Sequence, residues 1–240
     1  MSFLNRIGLG TVRAPATSGA AALRAHVPTA TTSMAGPSFS PRETRASSSL
    51  KDFLWHLNGL GRGNLLDLGP VWQSTVTFFI ERGFKVSTED VLMGWKQLSQ
   101  EEAERQRSLP ADAERPTRAE LANVFLETSL QFAPGSFDAV LAWDVLDYLE
   151  DDVMRPVAER LRSLVREGGV ILAMFHSKRP EQFQRYRILD EKTLEMVPSS
   201  SIFPMARVFQ NREISDLFSR FHTSKTYLGR DQLREGLFVK

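Results

Sequence analysis

The chain has 240 residues, of which 42% are hydrophobic and 25% charged, with a formal net charge of +1. Such a length and mixture suit one sizeable globular domain plus a tail, and the near-neutral charge gives no electrostatic case for nucleic acid or an anionic membrane. With no cysteine, disulfides, thiolate catalysis and cysteine-ligated zinc are excluded. The four histidines contain no His-x-x-x-His pair, so no metal site is expected.

Residues 1–48 read as a disordered tail, rich in Ala, Ser, Thr and Pro, as in "ATSGAAALRAH" and "TATTSMAGPS". Such a composition buries too little apolar surface to offset its ordering entropy. Arg6, Arg13, Arg24 and Arg42 precede the first acid, Glu43. The tail therefore reads either as plain tail on a cytoplasmic protein or as a transit peptide for an organelle matrix. The longest apolar runs, such as "GGVILAMF", are too short to cross a bilayer.

The domain is expected over 49–240. Phe53, Leu54, Leu57 and Leu60 have helical spacing, and Gly59, Gly61 and Gly63 end that entry helix. "NLLDLG" (64–69) is a short apolar run bounded by turn residues, hence a buried strand. Trp72, Val76, Phe79, Ile80 and Gly83 mark one helix face, and "FKVSTED" (84–90) reads as the next strand. Residues 91–124 form a charged insertion, read as a solvated helix plus loop, and "NVFLETSLQF" is expected to hold a short third strand.

A strong strand follows in "GSFDAVLAWDVLDYL". Asp151 or Asp152 is suited to cap a helix with Val153, Val157, Leu161, Leu164 and Val165 inward, stopped by Gly168 and Gly169. "GVILAMFHS" is apolar on both faces, as a central strand should be. After an irregular, partly extended stretch, a helix capped by Asn211 turns Ile214, Leu217, Phe218 and Phe221 inward, and "SKTYLGR" and "EGLFVK" close the chain as two strands. Strand and helix alternate, which predicts a doubly wound, mostly parallel Rossmann-like sheet in three αβα layers with an antiparallel C-terminal edge.

In an open sheet of this kind, ligands bind at the carboxyl ends of the central strands. Those ends carry Asp67 and Gly69, then Glu89 and Asp90, then Asp144 with Tyr148 a turn later, then His176. Over roughly residues 50–240 the chain resembles the class I S-adenosylmethionine-dependent methyltransferases. Asp67 and Gly69 match the first anchors of that family's D-x-G-x-G-x-G turn. Asp90 falls on its ribose-binding acid, and Asp144 and Tyr148 match the acid and the His or Tyr after its fourth strand. "LVREGGVILAMFHS" resembles its helix, Gly-Gly turn and fifth strand.

The resemblance implies S-adenosylmethionine as cofactor, held by Asp67, Gly69, Asp90 and Asp144. An acid at the second position accepts both ribose hydroxyls, and glycines in the first turn admit the aminocarboxypropyl group closely. Tyr148 and His176 are the candidate catalytic residues, each also readable as pocket wall or packed side chain. Glu127 lies one position from where the family often has an adenine-contacting acid.

The glycine loop departs from the pattern. Val71 and Gln73 replace its second and third glycines, Pro70 removes a backbone N–H, and Trp72 is large enough to fill part of the pocket. Two functions remain open. One is methyl transfer to an unidentified, small-molecule acceptor. The other is a catalytically inactive methyltransferase-like protein acting as a binding module or scaffold. Lys178, Arg179, Arg185 and Arg187, with Phe183 and Tyr186 among them, read either as a contact for an anionic acceptor or as a solvated basic face.

Overall fold

A computed structural model describes residues 43–240 other than 111, 201, 202 and 230. The tail expected over 1–48 lies outside the described residues up to 42. Residues 43–48 depart from that expectation. Glu43–Ala46 form strand β1, and Ser47 caps helix α1 (Ser48–Leu57) by accepting from the Leu50 N–H. Both are anchored by one buried acid, Glu235. Its Oε2 accepts from Ser47 Oγ at 2.9 Å, Ser49 N at 2.9 Å and Ser49 Oγ at 2.6 Å, and its Oε1 stands 2.7 Å from the Arg45 guanidinium. The partner acid is 186 residues away from Ser49 in sequence, too far for a composition reading to find.

The alternating core then follows: β2 (Gly63–Asp67), α2 (Gln73–Ile80), β3 (Phe84–Thr88), α3 (Val91–Arg107), α4 (Arg118–Thr128), β4 (Phe137–Trp143), a 3₁₀ turn (Val145–Tyr148), α5 (Asp151–Leu164) and β5 (Val165–His176). After it come β6 (Gln184–Ile188), β7 (Thr193–Pro198), α6 (Asn211–Leu217), β8 (Thr223–Leu228) and β9 (Leu233–Val239). The main sheet runs β3-β2-β4-β5-β9-β8. Its first four strands are parallel, and β9 and β8 add the antiparallel edge. This is the expected three-layer, Rossmann-like α/β fold. No described helix is long and apolar enough to cross a membrane.

Alternation along the central strands sorts side chains onto two faces. Leu66, Val140, Ala142, Ile171, Ala173 and Phe175 pack against α3–α6. Leu65, Ala139, Leu141, Trp143, Val170, Leu172 and Met174 face the other way, toward α1 and α2. On that second face the molecule adds a feature absent from the sequence reading. β1, β7 and β6 form a separate antiparallel sheet, built largely from the stretch expected to be irregular. Its Tyr186, Ile188, Leu194 and Met196 join the same apolar cluster as Trp143.

The strand expected within 123–132 is absent, and α4 spans most of that segment. Thr117 and Glu120 form a capping box, and Leu121, Ala122 and Phe125 are buried at helical spacing. Local capping and helical periodicity outweigh the β-branched and aromatic content there. The insertion is also less solvated than expected. Val91, Leu92 and Trp95 put the first turns of α3 into the core, and its charged second half faces water.

Candidate functional site

β2 delivers Asp67 to the carboxyl edge of the sheet. The carboxylate is fully buried. Its Oδ1 accepts the Gly69 N–H at 3.1 Å and the Trp143 indole N–H at 2.6 Å, and its Oδ2 has no hydrogen-bond partner among the described residues. Burial pushes its pKa up to about 6. The two hydrogen bonds oppose the rise and the charge of Asp90 adds to it.

Trp143 ends β4. Across a register shift between Leu141 and Trp143, its side chain packs with Ala139 and Leu141 on the face of α1, α2 and the small sheet. There it lies 14° from parallel with the Tyr186 ring, at 5.9 Å between centroids. It also covers the turn after β2. A Cβ placed on Gly69 would stand 3.1 Å from the indole Nε1. Trp143 adopts φ +47°, a left-handed conformation costly for a bulky residue. Such strain persists where surrounding contacts over-determine it, and here the bond to Asp67 and the stack on Tyr186 do so.

Asp90 sits at the end of β3 as the cap of α3. Its Oδ1 accepts the Met93 N–H at 3.1 Å. Both oxygens also accept from Arg185 Nη2, at 3.2 and 3.1 Å. Arg185 comes from β6 and is itself nearly buried. The small sheet is further fixed by the Ile188 N–H, which donates to Thr75 Oγ1 of α2 at 3.0 Å.

A second group forms where β4 and β5 end side by side. Asp144 Oδ2 lies 3.1 Å from His176 Nε2 and 3.4 Å from the Tyr186 hydroxyl. The backbone N–H of His176 donates to Asp147 Oδ2 at 2.7 Å. Burial, above all, raises the Asp147 carboxyl well above the ordinary range. His176 and Tyr186 border a cavity of about 310 Å³ that Lys178, Gln182 and Gln184 also line. Tyr148 lies apart from that cavity. It borders another of about 400 Å³ with Trp95, Arg118 and Met205, its hydroxyl has no hydrogen-bond partner among the described residues, and burial raises its pKa. A phenol so raised is a poor proton acceptor.

The structure thus brings together Asp67 with Gly69, and Asp144 with His176, and commits Asp90 to a helix cap and an ion pair. Glu127 lies exposed on α4. The obstruction anticipated at 70–73 takes a different form. Val71 is 67% exposed, and Trp72 sits at the start of α2 with the Arg187 guanidinium 5.4 Å from its ring. The side chain over the turn is Trp143. Trp143 was missed from sequence, and Arg185 and Tyr186, named there only within the basic stretch, were not foreseen as partners of Asp90 and Asp144. For Trp143 the sequence carried no local signal: β4 is apolar from Ala139 on, and its pairing with β5 shifts register between Leu141 and Trp143.

On the resemblance, an aminocarboxypropyl arm would lie above Gly69 and the ribose on Asp90. The indole instead packs over Gly69, and both Asp90 oxygens already accept from Arg185. The residues present do not fit S-adenosylmethionine as they are arranged.

No family model matches this chain, and no curated protein matches it. Solved structures similar to it include the Burkholderia thailandensis 1,6-didemethyltoxoflavin-N1-methyltransferase with bound 1,6-didemethyltoxoflavin and S-adenosylhomocysteine. That match has 16% identity and a TM-score of 0.42, over 80% of this chain and 75% of that one. An S-adenosylmethionine-dependent methyltransferase from Mesorhizobium loti matches at 14% identity and a TM-score of 0.43, over 78% and 94%. One from Methanosarcina mazei matches at 15% and 0.40, over 78% and 96%. At such identity and overlap no residue role passes from them to this chain.

Proposed function

We propose that this chain keeps a methyltransferase-type sheet, does not transfer methyl groups from S-adenosylmethionine, and acts by binding a ligand or partner. One observation carries the reading: the Trp143 indole lies on Gly69 and is hydrogen-bonded to Asp67 at 2.6 Å. The Asp90–Arg185 pair supports it. So does the sequence, since the loop lacks the glycines that would let a cofactor approach.

Ligand-dependent melting tests this. A true binder is stabilised by RT ln(1 + [L]/Kd), about 2.7 kcal/mol at a hundredfold excess. Neither S-adenosylmethionine nor S-adenosylhomocysteine is expected to shift the midpoint. A saturable shift that disappears in Asp90→Ala would instead install the methyltransferase reading, which the gathering of Asp67, Asp90 and Asp144 at the strand ends favours. In that case β6 would have to leave Asp90, and Trp143 would have to leave Gly69, before cofactor entered.

A further inference from the structure

At the opposite end of the sheet, where β2 and β3 begin, the entry helix and its glycine-rich exit border a cavity of about 420 Å³. This is within the usual range for small-molecule pockets. Leu54 and Leu57 of α1 and Phe84 of β3 line it, two of them buried. Trp55, also lining it, is 69% exposed, the most exposed of the large hydrophobic side chains described. An indole left in water beside a concave apolar wall offers a stacking face for a flat ring.

The charge around that face has one sign to spare. Lys51, Arg82, Lys192 and Glu191 line the cavity. Glu191 is taken by Arg82 at 3.0 Å, and Arg82 is further held by the Phe78 carbonyl at 2.9 Å and by the Phe78 ring. Neither ammonium group, of Lys51 or of Lys192, forms a salt bridge among the described residues, although the charge of Lys192 acts on the Asp190 carboxyl and lowers its pKa. With Arg82 matched by Glu191 and Lys192 only partly offset by Asp190, a positive excess remains beside the apolar recess and favours an anion. The chain's own N-terminal stretch holds no acid before Glu43, so it supplies none.

The remaining wall is backbone. Gly59 and Gly61 adopt φ +92° and +62°, and a Cβ on either would meet nothing within 4 Å. That loop is pinned from behind, because a Cβ on Gly83 would collide with the Gly61 carbonyl. The recess is therefore held open by turns that only glycine adopts without strain.

We infer that this cavity binds a small anionic aromatic molecule, its ring on Trp55 and its carboxylate or phosphate at Lys51 and Lys192. None of its lining residues belongs to the cofactor crevice, so the inference stands or falls apart from the fate of S-adenosylmethionine there. The test is calorimetric titration of the full chain with 1-naphthoate, and with neutral 1-naphthylmethanol as control. Saturable binding of the anion with a Kd below about 1 mM is expected. The double variant Lys51→Ala/Lys192→Ala should weaken the anion by about tenfold or more and leave the alcohol unchanged, while Trp55→Ala should weaken both. All three side chains are exposed, so these variants should fold. Absence of saturable heat at about 10 mM naphthoate, or equal affinity in wild type and double variant, would overturn the inference.

Discussion

Replacing Trp143 with Phe isolates the bond that closes the crevice. Phenylalanine keeps a ring against Tyr186 but removes the indole N–H from Asp67 Oδ1. Oδ2 already has no hydrogen-bond partner among the described residues, so the buried carboxylate would retain only the Gly69 N–H. Leaving a buried acceptor short of a donor costs about 1–3 kcal/mol. The cost should depend on pH. Asp67 titrates at about 6 in the folded protein against 3.8 in the reference state, so the folded form binds its proton more tightly than the unfolded one. Its burial then lowers stability by about 3 kcal/mol above pH 6, a penalty relieved as pH falls from 6 toward 4. Loss of the indole donor raises the folded pKa further. Urea unfolding should therefore show Trp143→Phe destabilised by about 2 kcal/mol at pH 8 and by much less near pH 4.5. In an Asp67→Asn background the pH dependence of the difference should disappear. A Phe variant as stable as wild type at pH 8, or a cost equal at both pH values, would refute the indole–carboxylate bond.

Three other changes probe the same architecture. Gly69→Ala would put a Cβ 3.1 Å from the Trp143 indole, and overpacking there should cost about 1–2 kcal/mol by urea unfolding, whereas an indole located elsewhere would leave it near neutral. Asp90→Ala removes the cap of α3 and strands Arg185, and should lower stability by about 2–4 kcal/mol, most of it recovered by adding Arg185→Met. Glu235→Ala leaves the cap Ser47 and the helix residue Ser49 without their shared acceptor, and Arg45 with Asp231 alone. It should cost about 3 kcal/mol or more, and limited trypsin digestion should cut at Arg45 far faster than in wild type.

The main sheet was legible because each of its central strands is a short apolar run between turn residues, with Leu65–Leu66 and Val170–Phe175 buried on both faces. The small sheet was not. "QRYRI" and "TLEMVP" have no distinctive local pattern, and their pairing depends on β1, more than 130 residues earlier, and on a buried acid near the C-terminus. α4 was misread because Val124, Phe125 and Leu126 favour a strand in isolation. The Thr117–Glu120 capping box just ahead of them sets the helix.

At the site, the acids were readable from their positions at strand ends, but what they bind was not. Asp90 meets Arg185 across 95 residues of sequence, and Asp67 meets Trp143 across 76. The loop's own substitutions, at Val71 and Trp72, do not form the obstruction over Gly69. It comes instead from the end of the neighbouring strand, where a register shift and a positive φ place Trp143 over the loop.

The most direct measurement is a crystal structure grown with saturating S-adenosylhomocysteine. The account predicts Trp143 seated on Gly69, Arg185 on Asp90, and no adenosyl density between them. Density for the homocysteine arm above Gly69, with the indole swung away and the ribose hydroxyls on Asp90, would contradict it.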